Sequence, residues 1–452
     1  MTFDRARKRF ATWRRWAADH QRSWQMVLIV AALTVLVGQW GRAAARLEDG
    51  DFHLHWQFAN RFVHNQFLYA DGLHVPYPPF WAMAWSPIAA LSLRAAKIVC
   101  FPLSLAALGG LLFLLDRLTR RHLPLGHVPR FWATAAALAL ASRFLVRELP
   151  ECGPNLALVA LTWLAIYFWS QRHDAAGGVC LGLATALKCT PGLFVIYFAW
   201  KRQWKLAVVA LVTAGACTLA PALWQGPRDY AWQAGIWLTN LRNAANQPDP
   251  SLGILGQEEL KNLSLKPAVA RYLMRLPPGH MSRLEHACYI EFLDLSPAAA
   301  GWGVKLALLA MLAATAWSAR GPIVRRDELT VIWQCAAIST LMLLLSPITW
   351  YQHAVAMVPA FYLIARTAAA RGTLPRSTVV VLAAFVVINL VLARGLIGRE
   401  ASQLLASYHP NTFLFLALLA ATLSAARREA FSAEPANGAT TVISAERRRK
   451  AA

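Results

Sequence analysis

Long apolar runs recur along this chain, and they restrict its possible folds more than any other feature. The runs lie between polar or basic segments, at about 25–41, 97–116, 131–148, 155–171, 175–188, 190–201, 205–224, 301–319, 330–346, 353–367, 377–396 and 411–427. A helix needs about 20 apolar residues to cross a bilayer, and most of the runs approach that length. Only 15% of the residues are charged, against about 25% in soluble domains. The sequence therefore predicts an all-α integral membrane protein with about twelve transmembrane helices.

The basic residues predict how those helices are oriented. Lysines and arginines fall in short clusters between apolar runs, as in segments 117–130 and 201–205, and such clusters mark cytoplasmic connections. With these clusters inside, both termini are cytoplasmic, and the long polar segment 225–300 lies outside as a loop with short helices. The stretch 78–94 is apolar but short and contains Pro87, so we expect a helix lying at the outer interface rather than a span.

This topology divides the chain into three parts. Residues 1–24 are expected to form a basic cytoplasmic tail, 25–427 a membrane domain, and 428–452 a disordered cytoplasmic tail rich in alanine, glutamate and arginine. The first apolar run is long for the core of a signal peptide, so a retained anchor is expected.

The net charge and the cysteines point to no other class. The formal net charge is +22, but the basic residues follow the positive-inside pattern, so we expect no nucleic-acid partner.

Most of the seven cysteines lie inside apolar runs and none forms a C-x-x-C pair, which is typical of small buried side chains. Cys152 and Cys288 lie outside the runs, and a disulfide between them stays open.

The first polar loop, residues 48–81, carries more polar chemistry than its surroundings. Glu48, Asp49 and Asp51 fall within four positions, and histidines, tyrosines and tryptophans follow. A carboxylate beside a span is costly to desolvate and needs a reason. The pair Asp49 and Asp51 also fits a D-x-D metal motif, but no cluster of further histidines or carboxylates completes a coordination shell, so we expect no metal.

Ionisable residues within or beside the predicted spans gather towards the outer side. They are Asp51, Arg143, Arg147, Glu148, Glu151, Lys188, Lys305, His353 and Arg394. Such residues at membrane depth usually face a cavity and mark a functional site. A transporter is expected to hold some of them near the midplane, on broken helices. The bias to one face favours an enzyme acting at the outer interface, with a lipid-sugar flippase or transporter as the alternative.

Ordered motifs within residues 25–425 resemble those of a known family. They are Asp51-Phe52 with Leu68-Tyr69; Tyr77-Pro78-Pro79; Gly153-Pro154-Asn155; Ala176-Gly177-Gly178, Gly182-Leu183-Ala184 and Lys188-Cys189-Thr190-Pro191; Asn246-Gln247 with Ser251-Leu252-Gly253; and Ser346-Pro347 with Trp350 and His353. The chain resembles the polyprenol-phosphate-mannose-dependent mannosyltransferases of glycosyltransferase family 87, which have the GT-C membrane fold. It departs from the family pattern at Gly153-Pro154-Asn155, in place of Gly-Gln-x-Asn, and at Gln352-His353, in place of paired histidines.

The resemblance implies a sugar transfer between lipid-linked partners. The donor is a polyprenyl-phosphate sugar, with mannose first and arabinose or glucose as alternatives, and the acceptor is a hydroxyl of a lipid or glycan. The reaction inverts the sugar on the outer face of a bacterial plasma membrane, with membrane lipids as partners and without a cofactor. The sequence has no P-loop and no G-x-G-x-x-G motif, so a nucleotide-sugar donor is disfavoured.

The resemblance also suggests roles for four residues. Asp51 is the general base that takes the proton of the acceptor hydroxyl; the alternative is that Asp51 only caps the following helix. Lys188, with Thr190 beside it, binds the donor phosphate, although a lysine at the end of a span also often extends to the interface. His353 donates to the phosphate or orients the acceptor, with a structural place at a helix end as the alternative.

Further candidates are expected to bind substrate. They are Tyr69, Tyr77, Glu151, Asn155, Asn246, Gln247, Trp350 and Arg394. Their aromatic rings can stack on sugars or belong to the interfacial belts of a membrane protein, and the charged members fit structural ion pairs equally well.

Overall fold

The computed structural model describes residues 20–45, 50–70, 77–247, 249–252, 260–280, 283 and 288–433. Every regular element within these ranges is helical, which confirms the all-α prediction. The α-helices are α1 (Gln21–Ala45), α2 (Asp51–Val63), α3 (Pro79–Trp85), α4 (Leu93–Thr119), α5 (His127–Glu148), α6 (Pro154–Ser170), α7 (Asp174–Leu187), α8 (Gly192–Trp200), α9 (Trp204–Leu219), α10 (Ala222–Gln225), α11 (Pro227–Ala245), α12 (Leu265–Leu273), α13 (Pro297–Ser318), α14 (Leu329–Leu345), α15 (Val358–Arg371), α16 (Arg376–Val386), α17 (Arg394–Ile397), α18 (Arg399–Ser407) and α19 (Pro410–Ala433).

Several of these helices are long and apolar enough to cross a membrane. Among the described residues there are six: α1, α4, α9 with α10, α13, the 3-10 segment Tyr351–Met357 with α15, and α19. Helices α5 and α6 pass the same test together but meet at a bend of 112°. Three shorter apolar helices are α7, α14, and α16 with its π-helical extension to Val391. The chain is a multi-pass membrane protein, but a count of twelve spans is not confirmed.

The short helix α14 lies in the middle of the bundle. Almost every side chain from Leu329 to Leu344 is buried, and α14 packs against α15 and α19. Trp163 of α6 and Trp333 of α14 are among the largest buried side chains. A helix surrounded by protein needs no polar face, which explains why this sequence is apolar all round.

Close packing explains the glycine-rich motif of α7. A Cβ atom at Gly182 would lie 2.4 Å from the backbone oxygen of Ala210, and one at Gly178 would lie 2.6 Å from Cβ of Val209. Side chains larger than hydrogen at these positions would push α9 away from α7, as is typical of small residues at membrane-helix interfaces. This packing fixes the position of Lys188, which follows the last turn of α7.

A tight turn joins α5 to α6. Cys152 and Gly153 both have positive φ, 58° and 62°, and a Cβ at Gly153 would lie 2.5 Å from the side chain of Ser104 in α4. Only glycine therefore fits at 153. The turn brings Glu148, at the end of α5, beside Asn155, at the start of α6.

Three predicted segments differ from the structure. The stretch 78–94 is not a single helix: it forms α3 and the 3-10 segment Ser86–Ala90, neither of which is long enough to span a membrane. Trp81 of α3 is 2% exposed and packs in one cluster with Phe58 and Phe62 of α2. The segment 225–300 contains a longer helix than expected, α11. Helix α19 continues to Ala433, past the predicted boundary at 427; residues 434–452 of that tail and 1–19 of the other lie outside the described residues.

Candidate active site

Asp51 stands at the beginning of α2, but its side chain does not cap that helix. Gly50 occupies the cap position, and no side chain accepts a hydrogen bond there. The Oδ2 atom of Asp51 instead accepts a hydrogen bond of 2.7 Å from Nε2 of Gln352. Since Gln352 lies 301 positions later in the chain, this carboxylate points to a place where distant segments meet.

Glu151 contacts the main chain at the start of α2. Its Oε2 atom accepts a hydrogen bond of 3.3 Å from the backbone amide of Phe52. Gly50 has φ 118°, and a Cβ there would lie 2.3 Å from the same oxygen. The structure therefore places Glu151 against the main chain that carries Asp51, and substrate binding by Glu151 stays a prediction.

Charges and burial act on Asp51 in opposite directions. Burial disfavours the ionised form and raises the pKa of Asp51 above its usual value. The hydrogen bond from Gln352 and the positive charges of Lys188 and Lys261 oppose that rise. A carboxylate in this setting holds a proton more tightly than an exposed aspartate does, which suits a general base.

A chain of hydrogen bonds connects Glu148 to Lys188. Oε1 of Glu148 accepts from the backbone amides of Asn155 and Leu156, at 2.6 and 3.1 Å. Oε2 of Glu148 accepts from Nδ2 of Asn155 at 2.9 Å. The other side-chain atom of Asn155, Oδ1, accepts from Nζ of Lys188 at 3.1 Å. The fully buried Glu148 thus fixes the amide of Asn155, and Asn155 fixes the ammonium group.

Aromatic side chains form a wall beside Lys188. Its Nζ atom lies 5.8 Å from the ring centre of Tyr77, and Tyr77 stacks on Trp81 with ring centres 4.4 Å apart. Nε1 of Trp81 donates to Nδ1 of His55 at 3.0 Å. Burial and the charge of Lys188 lower the pKa of His55 to about 3, so His55 is a neutral acceptor. Tyr69 contributes by donating its hydroxyl to the backbone oxygen of Tyr77 at 3.0 Å.

A small cavity of about 40 Å³ opens next to Lys188. Its polar lining residues are Asn155, Thr162, Lys188, Thr190, Ser346, Thr349 and His353. Nδ1 of His353 accepts from the backbone amide of Trp350 at 3.2 Å, which leaves the proton of a neutral ring on Nε2. The predicted Lys188, Thr190, Asn155 and His353 therefore lie together.

Four other predicted residues have less direct links to these groups, and their roles in substrate binding stay predictions. Arg394 is exposed at the start of α17, and Asn246 is exposed at the end of α11 beside the half-buried Gln247. None of these three shares a described hydrogen bond with the Asp51 and Lys188 groups. Trp350 is half-buried and stands parallel to His353, with ring centres 6.2 Å apart.

The disulfide that the sequence left open is not formed. Cys152 and Cys288 are both free thiols; the first is buried and the second exposed. Sγ of Cys152 donates to the backbone oxygen of Lys97 at 3.6 Å. Asp49, a possible partner of Asp51, lies outside the described residues.

Four residues of this site have no assigned role in the sequence prediction: Glu148, Gln352, His55 and Lys261. Glu148 is recognisable as a polar residue near the outer end of a span, but only the turn after it shows that Asn155 is its partner. Gln352 stands where the family usually has histidine, and this departure from the family pattern is the sequence signal that could have identified it. Nothing in the sequence brings Lys261 near Asp51, because a long connection separates them.

The arrangement brings a carboxylate close to a cationic site, since the charges of Asp51 and Lys188 act on each other. Asp51 can accept a proton, and Lys188 can bind and neutralise an anionic leaving group, with donors from Thr190 and His353 in the same lining. Transfer between a phosphate-linked donor and a hydroxyl needs these two elements.

Comparisons with known proteins agree with this chemistry. Residues 75–347 match the family model described as Glycosyltransferase family 87. The chain is 28% identical, over 65% of its length and 62% of the relative's, to a "Polyprenol-phosphate-mannose-dependent alpha-(1-2)-phosphatidylinositol mannoside mannosyltransferase" of Mycobacterium tuberculosis. It is 26% identical to the protein of the same description from Mycolicibacterium smegmatis, over 75% of this chain and 74% of that one.

A further relative from Mycobacterium tuberculosis is described as acting on a phosphatidylinositol pentamannoside, at 26% identity over 65% of this chain and 60% of the relative. The chain thus spans about three fifths of the length of two of these relatives. No solved structure matches it significantly. The family model covers more than half of the sequence, and the chain belongs to Glycosyltransferase family 87.

Proposed function

We propose that this protein transfers mannose from a polyprenyl-phosphate donor to a hydroxyl of a lipid or glycan acceptor. The observation that carries the proposal is the meeting of Asp51, Gln352, Lys188 and Asn155, which come from four separate parts of the chain. The relatives, described as polyprenol-phosphate-mannose-dependent, support the donor, and their phosphatidylinositol mannoside substrates support a glycolipid as acceptor.

In the proposed mechanism, Asp51 takes the proton of the acceptor hydroxyl as the oxygen attacks the anomeric carbon. The bond from that carbon to the donor phosphate breaks, and attack from the opposite side inverts the sugar. The leaving group is a polyprenyl phosphate, whose negative charge Lys188 stabilises with help from the donors of Thr190 and His353. Neutral His55 and the rings of Tyr77 and Trp81 keep this side of the pocket apolar, which strengthens the charge interaction.

The orientation follows from the positive-inside pattern. The basic clusters at 117–130 and 201–205 lie at the helix ends opposite to those near Glu148 and Lys188, and such clusters favour the cytoplasmic side. In the proposed topology the site faces the outside of a bacterial plasma membrane, where a lipid-linked donor is available and nucleotide sugars are not.

The substitution Asp51→Asn tests the base directly. Asparagine keeps the shape and can still bond to Gln352, but it accepts no proton, so turnover should fall by about 10²–10⁴-fold. Because burial already disfavours the charge at Asp51, the variant should fold and resist heat at least as well as the wild type. The assay is transfer of labelled mannose from polyprenyl phosphate to a glycolipid extract by purified protein in detergent.

Neighbouring acids provide the matched control. Glu48→Gln and Asp49→Asn remove the same charge from the same loop and should leave turnover within a few-fold of wild type. If Asp51→Asn retains more than about a tenth of the wild-type kcat, Asp51 is not the base. A panel of donors carrying mannose, arabinose or glucose identifies the sugar, and loss of transfer with every donor would refute the enzyme itself.

A further inference from the structure

A second cleft, remote from Asp51, lies at the other end of α6. It has a volume of about 540 Å³ and lies between the end of α6, the residue Gln203 before α9, and the loop before α14. Helix α6 has 17 residues, so this cleft is about 25 Å from Asn155 and the first site. The proposed transfer reaction does not use it.

The cleft carries an excess of positive charge. Arg121, Arg172, Arg325 and Arg326 line it, against one acidic lining residue, Asp327. Asp327 lies 3.4 Å from Arg325 and 3.8 Å from Arg121, and both of these arginines are largely exposed. One carboxylate shared in this way does not neutralise the lining, so the cleft attracts anions.

Neighbouring contacts hold Arg326 and the loop that carries it in place. Arg326 is paired with Asp174 at the start of α7 and donates to the backbone oxygen of Trp169 at 3.2 Å. The buried Lys201 donates to the backbone oxygens of Ala319 and Gly321, and these two hydrogen bonds hold the start of the loop before α14. Arg172, by contrast, makes no side-chain hydrogen bond or ion pair among the described residues, and its guanidinium is available to a ligand.

Exposed tryptophans lie at helix ends next to the segments that line the cleft, within a few residues of Gln203 and Ile323 in the sequence. Trp200, Trp204 and Trp317 are 60%, 60% and 62% exposed, and the guanidinium of Arg320 lies 3.8 Å from the ring centre of Trp317. Tryptophan with arginine at the ends of apolar helices is typical of the level of lipid head groups. A ligand of this cleft therefore meets the protein at the membrane surface rather than in bulk water.

We propose that this cleft binds the phosphate of an anionic phospholipid. Guanidinium groups bind phosphate oxygens in pairs of hydrogen bonds, and basic pockets between membrane helices are suited to anionic head groups. Arg172 and Arg325 reach the phosphate, Arg326 supports the floor, and the acyl chains lie along the exposed apolar surface of α9 and α13.

The test measures lipid binding by the full-length protein in neutral detergent. Titration with phosphatidylglycerol, followed by native mass spectrometry and by the thermal shift, should show saturable binding that weakens with salt. Each arginine near a lipid surface contributes about fivefold to affinity, so Arg172→Gln with Arg325→Gln should weaken binding by about twenty-five-fold. Asp327→Asn should tighten it, an effect that disruption of the fold does not produce.

The control removes equal charge at the same end of the bundle. Arg376→Gln with Arg427→Gln changes two exposed arginines outside the cleft and should keep lipid binding within twofold. If this pair weakens binding as much as the cleft pair, or if Asp327→Asn also weakens it, the cleft is not the site. Equal protection by inorganic phosphate at the same concentration would assign a soluble ligand and overturn the lipid proposal.

Discussion

Replacing Glu148 by glutamine should weaken the hydrogen-bonded chain that holds Lys188, although Glu148 itself does not bond to Lys188. Glutamine keeps an oxygen for the backbone amides of Asn155 and Leu156, but it puts an NH2 group where Oε2 stood. That group faces Nδ2 of Asn155, and two donors cannot bond to each other. If the Asn155 amide rotates to restore this bond, its own NH2 group then faces Nζ of Lys188 and the bond at 3.1 Å is lost.

Either arrangement loses one hydrogen bond to a charged group. Such a bond contributes about 1.5–3 kcal/mol, which corresponds to about a ten- to hundredfold loss in transition-state stabilisation. The loss should appear as a higher KM for the lipid donor or a lower kcat, while KM for the acceptor stays near wild type. Both constants are measured with purified protein and labelled polyprenyl-phosphate mannose.

A second substitution should reverse the effect. Asn155→Asp in the Glu148→Gln background gives the new NH2 group an acceptor and leaves a second oxygen for Lys188, with the total charge unchanged. The double variant should recover most of the lost kcat/KM, although Asn155→Asp alone places two carboxylates together and should be impaired. Wild-type kinetics in Glu148→Gln, or no recovery in the double variant, would refute the proposed chain of contacts.

The other predictions concern pH, the phosphate and topology. Because the pKa of Asp51 is raised, kcat/KM should fall on the acid side at a higher pH than it would for an ordinary aspartate. Gln352→Ala removes a hydrogen bond that stabilises the carboxylate and should move this fall to still higher pH. An unchanged pH profile in Gln352→Ala would contradict this. Lys188→Ala should raise KM for the donor or lower kcat, while Lys188→Arg keeps part of the activity; wild-type kinetics in the alanine variant would leave Lys188 a structural residue. Asn246→Cys, in a background with Cys189→Ser and Cys288→Ser, which removes the two exposed cysteines, should react with an impermeant thiol reagent added to whole cells, and labelling only after lysis would reverse the proposed topology.

The helical pattern was predictable because it depends on local sequence. The run 301–319 became α13 and the run 411–427 became most of α19, since twenty apolar residues in a membrane have few alternatives to a helix. The count of spans was not predictable in the same way. Helix α14 has an apolar sequence because protein surrounds it, and composition alone does not distinguish a buried helix from one that faces lipid.

The site was predictable as a set of residue types but not as a set of contacts. Asp51 and Lys188 stand out because charges beside apolar runs are costly. That Asp51 bonds to Gln352 rather than capping α2 depends on how the segment after α14 returns across the bundle. Arg394 stands out in the sequence for the same reason as Lys188, yet it is exposed, because local sequence does not tell which charges meet.

The bond between Asp51 and Gln352 has a consequence for biosynthesis. Their 301-residue separation takes about 15–60 s of translation at about 5–20 residues per second. Throughout that interval the nascent chain contains Asp51, the proposed base, without the Gln352 amide that bonds to it. Catalytic competence therefore arises late and abruptly, when the segment after α14 joins the bundle. A chain released before that point should be inserted in the membrane but inactive in the proposed transfer.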